Sequence, residues 1–264
     1  MGTAERNAAL WGARPRDWAE VQEGQVRPLF EAVLDEVGIA EGTRLLDVGC
    51  GAGMACQIAA GRGAVVSGFD ATEPLLEVAR ERVPGGDFQV GEMERLPYDD
   101  DSFDAVVGFN SFQFAADPGN ALREARRVAR PGAPVAVATW GRPEQCEATT
   151  VLEAQRVLMP PPPPGAPPPG PFALSEPGAL EGFVEQAGLR AGESRDVETV
   201  WRYPDVETAM RGLKSAGPGT AAIREVGEER VEEVLREALA RFTGGDGAVT
   251  ITNVFRYLVA TAPS

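Results

Sequence analysis

The stretch Leu45-Leu46-Asp47-Val48-Gly49-Cys50-Gly51-Ala52-Gly53 constrains the fold of this chain more than any other. Leu45 to Val48 are mostly apolar, too few for a helix, and cut off abruptly by glycines, which reads as a buried parallel strand entering a tight turn. Met54 to Gly61, rich in Ala and Ile, reads as the helix that follows. Gly49, Gly51 and Gly53 remove Cβ where the backbone must turn sharply and approach a ligand closely. A strand, a glycine turn and a helix N-terminus together make a nucleotide-type site with free N–H groups. The plainer alternative is a tight strand-to-helix connection with no ligand. The spacing is G-x-G-x-G, and Met54 stands where a dinucleotide-binding G-x-G-x-x-G needs its third glycine. Asp47, just before the turn, would repel a pyrophosphate and suits a cationic ligand.

Leu45–Gly53 resembles motif I of the class I S-adenosylmethionine (SAM)-dependent methyltransferases, in the small-molecule branch typified by ubiquinone and menaquinone biosynthesis. The similarity runs from about Arg44 to Trp140. It implies an α/β, Rossmann-like, doubly wound sheet of seven strands with the last antiparallel, and SAM as cofactor, with S-adenosylhomocysteine as product. The cofactor contacts implied are Asp47, Gly49, Cys50, Gly51, Gly53, Asp70, Ala71, Thr72, Leu75, Glu92, Met93, Asn110, Phe112 and Trp18.

The residues themselves support several of these. Ala64 to Asp70 reads as a second strand closed by a carboxylate, and an acid about 20 positions past the glycines can accept from two vicinal ribose hydroxyls. A solvated strand-end Asp is the alternative. Thr72 is the expected N-cap of the next helix, with Pro74 in its first turn. Asp87–Val90 is a short third strand. By resemblance Glu92 would accept from the adenine amine and Met93 would give a backbone N–H and an apolar face, although the family usually carries Asp at the first position. Ser102–Phe109 reads as the fourth strand and runs into Asn110-Ser111-Phe112-Gln113-Phe114 at the carboxyl edge of the sheet. In the resembling family this stretch touches the methionine part of the cofactor and the methyl acceptor. Gln113 stands where relatives often carry His, and an amide can orient a substrate but cannot take its proton. Gln113, Phe114 and Trp140, at the tip of the fifth strand Ala133–Trp140, are the expected substrate contacts. Phe112, Phe114 and Trp140 are also placed to hold a sulfonium by cation–π attraction. Packing serves Trp140 equally well.

On either side the chain reads as helical cover. Ala8–Val37 is expected as a helix in which Trp11 packs and Trp18, by resemblance, contacts the cofactor from a lid. Helices are expected over Asp117–Arg130 and Ser175–Gly188, and strands six and seven over Val197–Tyr203 and Val249–Ala260. The segment from Pro204 to Thr243 reads as a helical cap inserted between them. Pro160–Pro164 and Pro167–Pro169 exclude helix and central strand, and residues 159–171 are expected as an extended polyproline II crossover. The whole chain is read as a single domain.

Composition narrows the chemistry. The chain has 40 Asp and Glu against 25 Lys and Arg, a formal charge of -15, and a surface that acidic repels phosphate backbones. A small-molecule substrate is expected, with no nucleic-acid or membrane partner. Without an apolar run long enough to span a bilayer or a leader-like N-terminus, and with only Cys50, Cys56 and Cys146, a reduced cytoplasmic location is expected. No metal ligand set stands out. The chain has no histidine, which excludes an imidazole base and His-based triads. No catalytic base is assigned. A nucleophile that is already anionic or electron-rich would need none, and Tyr98, Tyr203 or a carboxylate could otherwise serve. Two other readings share the strand–glycine–helix logic: a SAM-binding protein of this fold with a non-methylating role, such as a cyclase, and an NAD-dependent oxidoreductase.

Overall fold

Four of the five residues of β1 (Arg44–Val48) are buried, which demands cover on both faces and places this strand centrally. The computed structural model describes residues 3–161 and 170–263. In it β1 lies between β2 (Val65–Asp70) and β4 (Ala105–Phe109), parallel to both. β3 (Asp87–Val90), β5 (Pro134–Trp140), β6 (Ser194–Tyr203) and β7 (Val249–Thr261) complete a seven-stranded sheet of order β3-β2-β1-β4-β5-β7-β6. β7 runs antiparallel to both β5 and β6.

Alternation along the strands builds two cores. Leu45 and Val107 point to one, with Leu29 and Val33 of α3 (Arg27–Val37) and Cys56 and Ala59 of α4 (Met54–Gly61). Leu46, Val48 and Val106 point to the other, with Leu122 and Val128 of α6 (Pro118–Val128) and Leu180 and Val184 of α8 (Ala179–Gln186). The carboxyl ends of β1, β2 and β4 therefore open between two covered faces, at the edge where open α/β sheets bind ligands.

The N-terminal helix departs from the expectation. It begins at Ala4 and breaks after Trp11 as α1 (Ala4–Trp11), then resumes through α2 (Pro15–Asp17), a π turn Trp18–Gln22 and a 3-10 turn Glu23–Val26 that lead into α3. The break has two causes. A Cβ on Gly12 would stand 2.6 Å from the Ala8 oxygen and 3.0 Å from Thr72 Cγ2, and Pro15 forces Arg14 out of the helical region (φ -139°, ψ 60°).

Other limits shift by a few residues. The fourth strand starts at Ala105 because Phe103 bridges to Ala129 and the Asp104 carboxylate caps the Arg44 N–H at 2.9 Å. α6 ends at Val128, α8 is shorter than expected at both ends, and β6 begins three residues earlier. Thr72 occupies the N-cap position of α5 (Glu73–Arg82) but makes no side-chain cap bond. Asp70 Oδ1 takes its N–H instead, at 2.8 Å. α7 (Thr149–Arg156) was not foreseen, since its buried face is a valine and a glutamine, Val151 and Gln155. For residues 162–169 the polyproline expectation lies outside the described residues.

α9 (Val206–Ser215), α10 (Gly217–Val226) and α11 (Glu228–Leu239) stand between β6 and β7. They lean on the N-terminal helices: Arg224 donates to the Ala9 carbonyl at 2.7 Å, Arg14 pairs with Glu228 at 2.7 Å, and a Cβ on Gly217 would stand 2.9 Å from the Trp11 ring. Among the described residues no helix is long and apolar enough to cross a membrane.

The glycine turn depends on close packing as well as backbone freedom. Gly53 holds φ +80°, and a Cβ there would lie 2.7 Å from Ala79 Cβ on α5. Gly53→Ala is expected to cost about 2–4 kcal/mol, from left-handed backbone strain plus overpacking. Urea denaturation checks this, and a loss under about 0.5 kcal/mol would contradict the packing described.

Candidate functional site

The turn after β1 is pinned from beneath. The Gly49 and Cys50 N–H groups donate to the Phe69 carbonyl of β2, at 2.6 and 3.2 Å. The Cys50 side chain points into the core, where its Sγ would lie 2.8 Å from a Cβ on Gly68. Only the Cys50 backbone can therefore face a ligand. Burial and nearby acids push the Cys50 and Cys56 thiols up, so both stay protonated at neutral pH.

Three carboxylates surround the turn, each handled differently. Asp70 accepts from Gly51 N–H at 2.9 Å and Thr72 N–H at 2.8 Å, with Ala71 half-buried between them. Asp47 is 1% exposed, its Oδ1 has no partner, and Cys56 Sγ lies 3.8 Å from Oδ2. Burial, then the nearby Glu23 and Asp70 carboxylates, push its pKa up to about 8. Glu23, from the N-terminal cover, is 3% exposed, pairs with Arg82, and accepts the Met54 N–H through Oε1 at 3.3 Å. Among the described residues no group of three or more His, Cys, Asp or Glu side chains could hold a metal ion.

Gly51 faces the N-terminal cover. With φ +55°, a Cβ there would meet only Trp18 Nε1 at 3.6 Å and Glu23 Oε1 at 3.7 Å. Trp18 Nε1 is buried with no partner, and the ring packs edge-on against Trp11 at 4.9 Å. Leu75 is 2% exposed in the same small cluster, beneath Trp11 and Trp18.

The β3 and β4 ends are partly engaged by α1. Glu92 Oε2 accepts the Ala4 N–H at 3.0 Å, and Met93 packs against the lower core. The Phe114 carbonyl accepts from Thr3 Oγ1 at 2.8 Å and Asn7 Nδ2 at 3.2 Å, and its ring meets Trp11 edge-on at 6.3 Å. Asn110 holds φ +51°, a strained conformation for a non-glycine. Its Oδ1, the Ser111 Oγ and both amide atoms of Gln113 are buried without partners.

One expected contact is corrected, and a second is found in aromatic packing. Phe112 is 0% exposed, packed with Leu46, Val48 and Phe69 over Gly108, and offers no ring face to a ligand. Trp140 is half-buried and packs among Phe172, Trp201 and Phe255, with ring centroids 5.5, 5.7 and 4.6 Å away.

Sequence reasoning missed Glu23, Arg82 and Ser111. Glu23 reads as a solvated helix position and Arg82 as a helix-terminal cation, and no local pattern joins them. Ser111 stands between the candidates Asn110 and Phe112 and carries no pattern of its own. It lies against the turn, with its Cβ 2.3 Å from where a Gly49 Cβ would stand.

These residues fit SAM. Partnerless polar atoms of Trp18, Asp47 and Asn110 lie at the carboxyl edge around the glycine turn beside an excess of acid, which suits a cationic nucleoside with hydroxyl and amino groups, whereas Gln113 lines a cleft with Asp117, Arg123 and Phe183.

Comparison with known proteins agrees. A family described as "Methyltransferase domain" matches residues 46–137. The demethylmenaquinone methyltransferase of Renibacterium salmoninarum is 37% identical over 120 residues, covering 46% of this chain and 51% of that protein. The chain thus spans about half the length of such curated relatives. The ubiquinone biosynthesis O-methyltransferase of Alkalilimnicola ehrlichii is 30% identical over 166 residues, covering 58% of this chain and 67% of that protein. A SAM-dependent methyltransferase structure from Aquifex aeolicus shares the fold, with a TM-score of 0.53, 19% identity, and coverage of 94% of this chain and 98% of that one. With a glycine turn, sheet order and relatives in agreement, the chain belongs to the class I SAM-dependent methyltransferases.

Proposed function

We propose that this protein transfers a methyl group from SAM to an O, N or C nucleophile of a small cytoplasmic metabolite. It would do so as one domain whose N-terminal helices and Pro204–Thr243 segment cover the site. The observation that carries the reading is Asp47: a buried carboxyl group whose Oδ1 has no partner and whose Oδ2 meets only the Cys56 thiol, at the glycine turn of a methyltransferase-family chain and flanked by two further acids. SAM, when bound, supplies a methyl group on a positively charged sulfonium.

The chain's own residues bind, orient and exclude water. Asp47 would meet the cofactor's ammonium, Asp70 its ribose hydroxyls, and Trp18 N–H an acceptor across Gly51. Glu92 would take the adenine amine, sharing its carboxylate with the Ala4 N–H. Gln113, with Phe114 beside it, would orient the methyl acceptor. Deprotonating that acceptor is not work these residues suit. Burial pushes the Tyr98 and Tyr203 phenols well above neutral pH, and the Tyr203 hydroxyl donates to Gln22 Oε1 at 2.8 Å. That leaves a substrate that arrives already nucleophilic or one deprotonated by a carboxylate, with alignment and desolvation carrying the catalysis.

The dinucleotide reading is disfavoured by the same geometry. The N-terminus of α4, where a pyrophosphate would sit, already receives the Glu23 carboxylate. The net charge of -15 opposes a nucleic-acid substrate.

Thermal unfolding with SAM, S-adenosylhomocysteine and NAD in parallel tests the cofactor. A ligand at 100 times its Kd adds about 2.7 kcal/mol, a shift of roughly 5–10 °C at this size. Stabilisation by the first two alone is expected, and a shift with NAD alone would overturn the reading. Appearance of S-adenosylhomocysteine with a candidate acceptor separates transfer from a cyclase-like role. Asp70→Ala is expected to weaken S-adenosylhomocysteine binding by about 10–100-fold, since hydrogen bonds to a charged group contribute ~1.5–3 kcal/mol. Calorimetric titration showing unchanged affinity would remove Asp70 from the ribose site.

Asp47 makes stability and binding depend oppositely on pH. An unfolded chain ionises it near 3.8, whereas the native carboxyl group keeps its proton up to about 8. The protonated native form is thus favoured at acid pH, and that contribution fades as pH rises between these values. Asp47→Asn removes the loss. Without ligand the variant should melt above wild type at pH 8, by roughly 2–4 °C per kcal/mol relieved, with the margin closing towards pH 4. Its affinity for S-adenosylhomocysteine should meanwhile fall. A variant that melts below wild type across this range would show that Asp47 is not buried uncompensated.

A further inference from the structure

The N-terminal cover meets the glycine turn through one buried ion pair. Besides pairing with Glu23, the Arg82 guanidinium donates to the Ala52 carbonyl of the turn at 2.8 Å and to the Ala19 carbonyl of the cover at 2.6 Å. Glu23 in turn holds the Met54 N–H at the start of α4. Three separate stretches, Trp18–Val26, Ala52–Met54 and the end of α5, thus converge on two side chains that are 17% and 4% exposed. Burying two charges is costly, and a well-packed apolar pair would hold the elements together at least as well. What the charges add is direction, because a guanidinium fork fixes the relative placement of the groups that it joins. The segment so placed carries Trp18, whose partnerless N–H faces Gly51.

We propose that Glu23 and Arg82 are positioning residues of the cofactor site. The pair clips Trp18–Val26 onto the glycine turn, so that the Trp18 indole N–H is held beside Gly51, at the edge of the face that a nucleoside cofactor would take. The assignment rests on the SAM reading of this site. Neither residue would touch the reacting atoms. Loss of the pair would loosen the cofactor and its cover together, which a purely structural ion pair would not do.

The test compares wild type with Glu23→Leu/Arg82→Met, which removes both charges and leaves none unpaired. Three readouts are taken: melting temperature, calorimetric affinity for S-adenosylhomocysteine, and trypsin cleavage after the exposed Arg6 and Arg16 of the cover. Wild type is expected to bind S-adenosylhomocysteine, and binding should slow both cleavages. The double variant should melt near wild type yet bind roughly tenfold or more weakly, within the range usual for coupled sites, and lose the ligand-dependent protection. Equal affinity and equal protection in the double variant would overturn the assignment while leaving the cofactor reading intact. No binding by wild type would overturn both. Should the double variant not fold, Glu23→Gln and Arg82→Lys decide by the same readouts. Glu23→Gln keeps an acceptor for Met54 N–H, and Arg82→Lys keeps the charge without the fork. Unchanged affinity in both would overturn the assignment.

Discussion

Around the glycine turn, negative charge is buried faster than it is neutralised, and the site is arranged around that excess. Glu23, Asp47 and Asp70 are set close together, and Arg82 pairs with one of them, Glu23. Each acid avoids the cost of an unpaired buried charge in its own way. Asp70 takes two backbone N–H groups, Glu23 takes Arg82 and a helix N-terminus, and Asp47 keeps its proton. Asp47 is left with the Cys56 thiol alone, and a ligand bearing an ammonium group would relieve it where a phosphate would not.

The same economy of polar contacts assembles the cover. The free N–H groups at the start of α1 are met by Glu92, a residue of the site, and the Phe114 carbonyl holds Thr3 and Asn7. Trp11 then bridges Trp18, Phe114 and α10. The N-terminal segment is thus joined both to the β3 and β4 ends and to α9–α11, through Arg211 with Asp17 and Glu20 and through Arg224 with the Ala9 carbonyl.

Much of this was legible before the structure. Leu45–Gly53 declares its strand and turn because buried strands are short and apolar and because glycines mark backbone that must bend left-handed. Asp70 declares itself by distance from that turn. Residues such as Phe112 were not legible: the 3-10 turn Phe112–Phe114 after β4 rotates one aromatic inward over Gly108 and leaves its neighbour Gln113 with an unpartnered amide. No periodicity reveals which way a three-residue turn faces. The break at Gly12 was hidden for a related reason, since the close pass that requires it is to Thr72, far along the chain.

The sequence by itself determined the α/β alternation, the glycine turn and two of the acids beside it, Asp47 and Asp70, because strand length, helical period and left-handed backbone are properties of neighbouring residues. It also determined that no imidazole takes part in the chemistry. Only the tertiary structure decided which side chains serve the site. Glu23 and Arg82 lie 59 residues apart, and their pairing exists only because the cover and the end of α5 meet above the turn. The proton on Asp47 was decided there too, since it depends on burial and on two acids from distant segments. Electrostatic environment is set by proximity in space, and a chain read in order does not contain it.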